Sequence, residues 1–509
     1  MTFAEFILEH ENDDLASLVL HRDRWPGIDV ALAAECIAAR RKLRYKVPEW
    51  YAEASLVCPV ALSAEQCSST ATARYKAAVV LGAEEACRLP LEAIREEQRA
   101  RPCSVKGPRS GHCSSESLRP ALPTSLRIAD LTGGLGVDCW QFSKVADAVL
   151  YNEMNPVLLE AAKANLSRLG CSNVEFSNLC IDAGSLPGLL DSFRPDVVFA
   201  DPARRGASGR KVFLPEDCSP DVLALQDIVL SRGCRMLLKL SPMADISLML
   251  RKFHNVGSVH IVETDGECKE LLLMLEPGFE GEAKIVVACT GSISDFNDSF
   301  RFYQSEEKSA TPIFISEAPA PGQILFEPGP ALMKSGALNF LSARFGLRKL
   351  GPSAHYLCFG KERLEDETAL RTLNDLGKFF SVEDAAPFGK QALRDFASHW
   401  PDADVTARAL PLSSDELRMK LASLGRGRKK SPDGGAAGAE VVAGAGGAAG
   451  AGAGGVSGAA PAAATARHIF GIGSSIGRLL IAAIPHQVIP SAALPHNLHP
   501  CTLSGIEGQ

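Results

Sequence analysis

From residue 2 to residue 100, apolar positions recur at three- and four-residue spacing, as in Phe3, Phe6 and Ile7 and again in Ala31, Ala34, Ile37 and Ala38. This periodicity predicts a helical N-terminal domain over residues 1–100. It disappears in 101–125, where Ser, Pro, Gly and basic residues dominate and a linker or loop is expected. Beyond that point the apolar runs shorten, to 125–131, 148–151, 173–177, 196–200 and 234–240, with helical patterns such as 156–169 and 221–231 between them. Short buried strands alternating with helices predict βαβ units and a parallel sheet. Two further runs, 258–262 and 270–275, are joined by a polar connection too short for a crossover helix, so they predict an antiparallel hairpin. A strand-like run at 283–288 follows, then mixed patterns to about residue 428. Ala and Gly dominate 431–464, a composition that cannot specify a core. The apolar segment 467–484 is expected to rejoin the preceding domain across this insertion. It is too short to span a bilayer and carries Arg478, so strands are the better assignment.

Length and charge narrow the picture. A chain of 509 residues can bury more than one core, and the usual domain size suggests roughly two to four domains. A net charge of -7 excludes a protein wrapped in nucleic acid over its whole surface, so any such contact needs a local basic patch. The 15 cysteines include no CxxC pair and no zinc spacing, which points to reduced thiols in a cytoplasmic protein without a metal site. The acidic first 14 residues lack the basic and apolar regions of a signal peptide, so secretion is not expected.

The main chemical signal is Asp130-Leu-Thr-Gly-Gly-Leu-Gly-Val-Asp138, placed where a first strand turns into a helix. Gly134 and Gly136 permit close approach of a ligand, and the following helix presents free N–H groups. Nucleotide and methyl-donor sites both use such a turn, but the third glycine of a dinucleotide fingerprint is missing. Glu153, ending the second strand, is placed to bind ribose hydroxyls, and Asp182, after the third, to accept from an adenine amino group. Each acid alone would more often be a solvated or capping residue; the case rests on their falling at successive strand ends. The fourth strand ends in Asp201-Pro202, where a carboxylate could orient an amine nitrogen toward an electrophilic methyl carbon, the alternative being a helix cap. Arg204, Arg205, Arg210 and Lys211 beside it could grip phosphate or simply form a solvated face. Two other basic stretches, 40–46 and 426–430, have the same two readings.

Together with Leu62-Ser-Ala-Glu-Gln-Cys-Ser-Ser69, Lys239-Leu-Ser-Pro-Met243, Glu267-Cys-Lys-Glu270, Leu325-Phe-Glu-Pro328, Lys334-Ser-Gly-Ala337 and Pro411-Leu-Ser-Ser-Asp-Glu-Leu-Arg418, these motifs resemble bacterial class I S-adenosylmethionine-dependent methyltransferases that carry a C-terminal THUMP-like domain. The resemblance implies a doubly wound, Rossmann-like α/β core over 126–280, a small ferredoxin-like segment over 281–325, an α+β THUMP-like domain over 326–485 and a tail over 486–509. It implies S-adenosylmethionine as cofactor, held by Asp130, Thr132, Gly133, Gly134, Gly136, Asp138, Glu153 and Asp182. It assigns catalysis to Asp201 and Pro202, and RNA, tRNA or rRNA, as partner, with neither DNA nor membrane. Two other functions compete: methylation of a small molecule or protein, and a non-catalytic RNA-binding protein that keeps the fold. The Asp201 turn also resembles that of uridine C5 methyltransferases, which need a cysteine nucleophile after the fifth strand. This chain has Lys239-Leu-Ser-Pro242 there, so nitrogen methylation is expected.

Overall fold

The computed structural model describes residues 1–82, 125–203, 215–290, 300–425 and 467–486. The expected linker, the basic cluster at 204–211, the stretch 426–430 and the Ala/Gly run lie outside them. Two compact units are formed, one from 1–310 with 329–340, the other from 311–328 with the described residues from 341 on.

In the first unit, β1 (Arg127–Asp130), β2 (Ala148–Asn152), β3 (Val174–Ser177), β4 (Val197–Ala200) and β5 (Arg235–Leu240) pair in parallel. Every residue of β4 is buried, as a parallel strand covered on both faces requires. The connecting helices include Val137–Ser143, Pro156–Arg168, Leu186–Phe193 and Val222–Leu230. Strands β6 (Val256–Thr264) and β7 (Glu267–Leu275) form the expected hairpin across Asp265 and Gly266, both with positive φ, at 53° and 73°. Such a pair suits the twist of a two-residue hairpin turn. The complete sheet has nine strands in the order β3-β2-β1-β4-β5-β7-β6-β8-β9. Its order reverses at β1, so a crevice opens beyond the carboxyl ends of β1 and β4, where open α/β sheets bind ligands.

Two expected boundaries differ. Strands β8 (Lys284–Thr290) and β9 (Phe300–Tyr303) do not begin a separate ferredoxin-like segment at 281; they extend the first sheet, β8 pairing in parallel with the open edge of β6. That pairing satisfies backbone groups an exposed edge would leave free. The N-terminal helices are likewise not an independent domain. Residues from Ala39 to Leu81 share one core with Ile128, Val137, Phe142, Phe199 and Leu237 of the sheet unit. Helix Thr70–Val80 shows why, since nine of its eleven residues are buried and it has no polar face to turn to water. A second, smaller cluster unites Phe6, Ile7, Leu18, Val30, Ala33, Cys36 and Ile37.

The second unit carries an eight-stranded sheet, ordered β10-β12-β13-β11-β14-β17-β16-β15. Its strands are β10 (Ile313–Phe314), β11 (Ile324–Pro328), β12 (Arg348–Lys349), β13 (Leu357–Phe359), β14 (Gly377–Pro387), β15 (Asp404–Arg408), β16 (His468–Ser474) and β17 (Gly477–Pro485). The β16–β17 hairpin inserts between β14 and β15, so the apolar segment after the Ala/Gly run does rejoin this unit. Among the described residues no helix is long and apolar enough to cross a membrane, and no side-chain cluster suits a metal ion.

Candidate active site

The turn after β1 is shaped by contacts only glycine allows. A Cβ on Gly133 would lie 2.2 Å from the Tyr151 ring. Gly134 and Gly136 adopt φ of 54° and 97°. The turn is pinned by Gly133 N–H donating to Asn152 O (2.8 Å) and by the Tyr151 hydroxyl donating to Gly134 O (2.6 Å). Buried Asn152 adds a latch absent from the sequence expectations: its amide donates to Leu131 O and Leu179 O and accepts from Leu179 N–H, joining the loops after β1 and β3.

Asp138, Asp201 and Glu153 lie near enough to Asp130 for their charges to act on it, and each expected acid takes different partners. Asp130 is buried; Oδ1 accepts from Thr132 N–H at 3.1 Å, whereas Oδ2 has no hydrogen-bond partner among the described residues. Burial, then Asp138, Asp201 and Glu153, push its carboxyl well above the ordinary value. A positively charged ligand would relieve that arrangement, and a sulfonium carrying an ammonium group fits it. Glu153 accepts from Gly134 N–H and Asn155 N–H, each at 2.8 Å, and so braces the glycine turn directly. Asp182 is exposed, with Oδ1 accepting from Gly184 and Ser185 N–H groups that hold its carboxyl below the usual range. Asp138 points elsewhere: Ser68 Oγ donates to its Oδ2 at 2.8 Å, and Lys76 Nζ lies 3.1 Å from its Oδ1.

Asp201 follows β4, and buried Pro202 comes next. Asp201 N–H donates to Thr132 Oγ1 at 2.7 Å, which ties the end of β4 to the glycine turn. Its Oδ2 accepts from Lys239 Nζ at 2.6 Å. Lys239 also lies 3.8 Å from Glu270, which takes two hydrogen bonds from Lys76 at 2.7 and 2.9 Å. Burial alone would lower the Lys239 ammonium, but Asp201, Glu270 and Asp138 outweigh it and hold it above the ordinary lysine range. Burial would raise Glu270, yet Lys76 and Lys239 hold it down to about 2.

Lys239 and Glu270 lie in two of the motifs that carry the family resemblance but have no site role among the sequence expectations, and Lys76 lies in none of those motifs. The signal was present: Lys76 and Lys239 interrupt apolar runs and Glu270 opens one, and buried charges of this kind are normally paired. The basic stretch 40–46 is largely engaged within the chain, Arg41 with carbonyls of Glu11 and Asp13, Lys42 with Glu65 and Lys46 with carbonyls of Ala64 and Glu65. Cys234 is buried and donates to Pro195 O at 3.0 Å. Burial raises Cys268 to about 11. Cys218, not considered from sequence, adjoins Ser219, which bridges to Ala203 just after the Asp201 turn.

The chain is 25% identical over 296 residues, 58% of its length and 73% of the relative's, to an uncharacterised S-adenosylmethionine-dependent methyltransferase found in two strains of Mycobacterium tuberculosis. It shares its fold with a candidate methyltransferase from Porphyromonas gingivalis, with a TM-score of 0.66 and 24% identity over 96% of this chain and 98% of that one. A ferredoxin-like domain family matches residues 325–358, later than the segment expected from sequence.

Proposed function

We propose that this chain, an S-adenosylmethionine-dependent methyltransferase like its relatives, delivers the methyl group to a nitrogen atom of RNA, tRNA or rRNA, in the cytoplasm. One observation carries the reading: Asp201 sits at the crevice with Oδ2 on Lys239, while Oδ1 takes no hydrogen bond from a described residue. That oxygen is available to accept from an amine N–H and aim the nitrogen lone pair. When bound, the cofactor supplies a methyl group already activated on sulfonium, so the protein's task is alignment. Asp130 would balance the cofactor's ammonium group, the backbone of Thr132, Gly133, Gly134 and Gly136 would line its site, and Glu153 and Asp182 would flank it.

Nitrogen is favoured over carbon because Cys234 is turned to a carbonyl and Cys268 is held as a thiol. Arg204, Arg205, Arg210 and Lys211 are proposed as phosphate contacts. A THUMP-like role for the second unit is proposed from the sequence resemblance.

The test is mass spectrometry of nucleosides after reaction of total RNA with labelled donor. Label on nitrogen is expected, lost in Asp201→Ala, which should keep S-adenosylhomocysteine affinity within a few fold. A covalent adduct with 5-fluorouridine RNA, abolished by Cys218→Ser, would instead establish carbon methylation. Label confined to small molecules or protein would replace RNA as the acceptor.

A further inference from the structure

Five side chains form an unbroken alternation of charge across the first unit: Asp138, Lys76, Glu270, Lys239 and Asp201, with successive separations of 3.1, 2.7, 3.8 and 2.6 Å. Ser68 closes the far end, accepting from Lys76 and donating to Asp138, each at 2.8 Å. One terminus lies in the first turn of the helix after the glycine turn, the other at the acceptor side. Lys76 and Glu270 are almost wholly buried, and Lys239 keeps only 11% of its side chain exposed. Charges so enclosed are sustained only by their partners. The three middle members are therefore fixed in place, and Lys76 and Glu270 keep Lys239 against Asp201.

We propose that Lys239 is a positioning residue that neutralises Asp201, so that this carboxylate serves as a hydrogen-bond acceptor for the substrate instead of an ion-pair partner for the positively charged donor. This rests on the reading that Asp201 faces the reacting end of the bound cofactor. The physical reason lies in how charge changes during transfer. Transfer of methyl from a sulfonium to an acceptor nitrogen would leave a neutral thioether, so the positive charge beside Asp201 would already be smaller in the transition state. A bare carboxylate beside that charge would stabilise the starting state more than the transition state, which tightens donor binding and slows the reaction. Lys239 removes that penalty, and by occupying Oδ2 it leaves Oδ1 for the acceptor.

The donor and its product differ by this one charge, so their relative affinities report on the site without an acceptor present. Calorimetry with S-adenosylmethionine and S-adenosylhomocysteine should show Lys239→Met shifting preference toward the sulfonium by about fivefold or more. In an Asp201→Asn background the same substitution should shift it less than about twofold, and Lys239→Arg should stay within about twofold of the wild type. A general loosening would weaken both ligands together and leave their ratio unmoved. Lys239→Gln, which keeps a donor without the charge, replaces Lys239→Met if the latter does not fold. An unchanged ratio in the charge-removing variant, or an equal shift in both backgrounds, overturns the proposal for Lys239 alone. A wild type that binds neither ligand removes the cofactor reading beneath it.

Discussion

Asp130 is a residue whose burial opposes stability. Its folded carboxyl lies well above the ordinary 3.8, so over a range above that value the folded chain keeps a proton the unfolded chain has released. Stability from this group therefore falls as pH rises from the unfolded value through the raised one. Asp130→Asn removes the term: urea midpoints of the variant relative to wild type should climb as pH rises above the ordinary 3.8, while S-adenosylmethionine affinity falls at least tenfold. Relative stability that is flat with pH would contradict the first half, and normal donor binding the second. Glu270 has the opposite sign, contributing stability above 4.5 that is lost as pH drops toward about 2. Residue identities at the crevice were legible because Asp130, Thr132, the glycines and Asp201 occur in compact motifs. Their partners were not, since Lys76 and Glu270 meet 194 positions apart and no local pattern encodes that pairing.

At the scale of elements, the glycine turn and β2 are cut to fit each other. Gly133→Ala drives a Cβ to 2.2 Å from the Tyr151 ring and would dislodge the hydroxyl that holds Gly134 O. Overpacking of this kind costs about 1–3 kcal/mol. Gly136→Ala has 3.7 Å of clearance and mainly meets the left-handed backbone, a penalty of about 1–2 kcal/mol. Thermal melts should thus rank both below wild type, with S-adenosylhomocysteine affinity lost more completely in Gly133→Ala because Tyr151 must move; the reverse order of affinity would show that the turn tolerates the ring's displacement. The strands around this turn were legible to within a few residues because buried parallel strands are short apolar runs bounded by polar turns. The placement of β8 and β9 was not, because a strand's own sequence does not say which sheet edge it will join.

For the whole molecule, the main departure from the sequence expectation is that the N-terminal helices complete the catalytic unit's core. Helical periodicity identified them correctly but says only that one face is apolar, not what that face covers. Three polar contacts make the union specific as well as hydrophobic. Asn165 exchanges two hydrogen bonds with the Val57 backbone, at 2.9 and 2.7 Å, Tyr75 pairs with His260 at 2.8 Å, and Lys76 bonds Glu270. Removing residues 1–82 would uncover Ile128, Val137, Phe142 and Phe199 and strand Glu270 without Lys76, a loss of about 3–5 kcal/mol for the broken buried pair alone. Removing only 1–29 strips Phe6, Ile7 and Leu18 from the smaller cluster and leaves the shared core in place. The shorter deletion should therefore keep S-adenosylhomocysteine affinity within a few fold and retain cooperative unfolding. The longer one should lose binding and near-ultraviolet circular dichroism of the first unit, although every cofactor residue remains in the chain. Wild-type affinity in a chain beginning at residue 83 would show that the sheet unit folds without its helical cover.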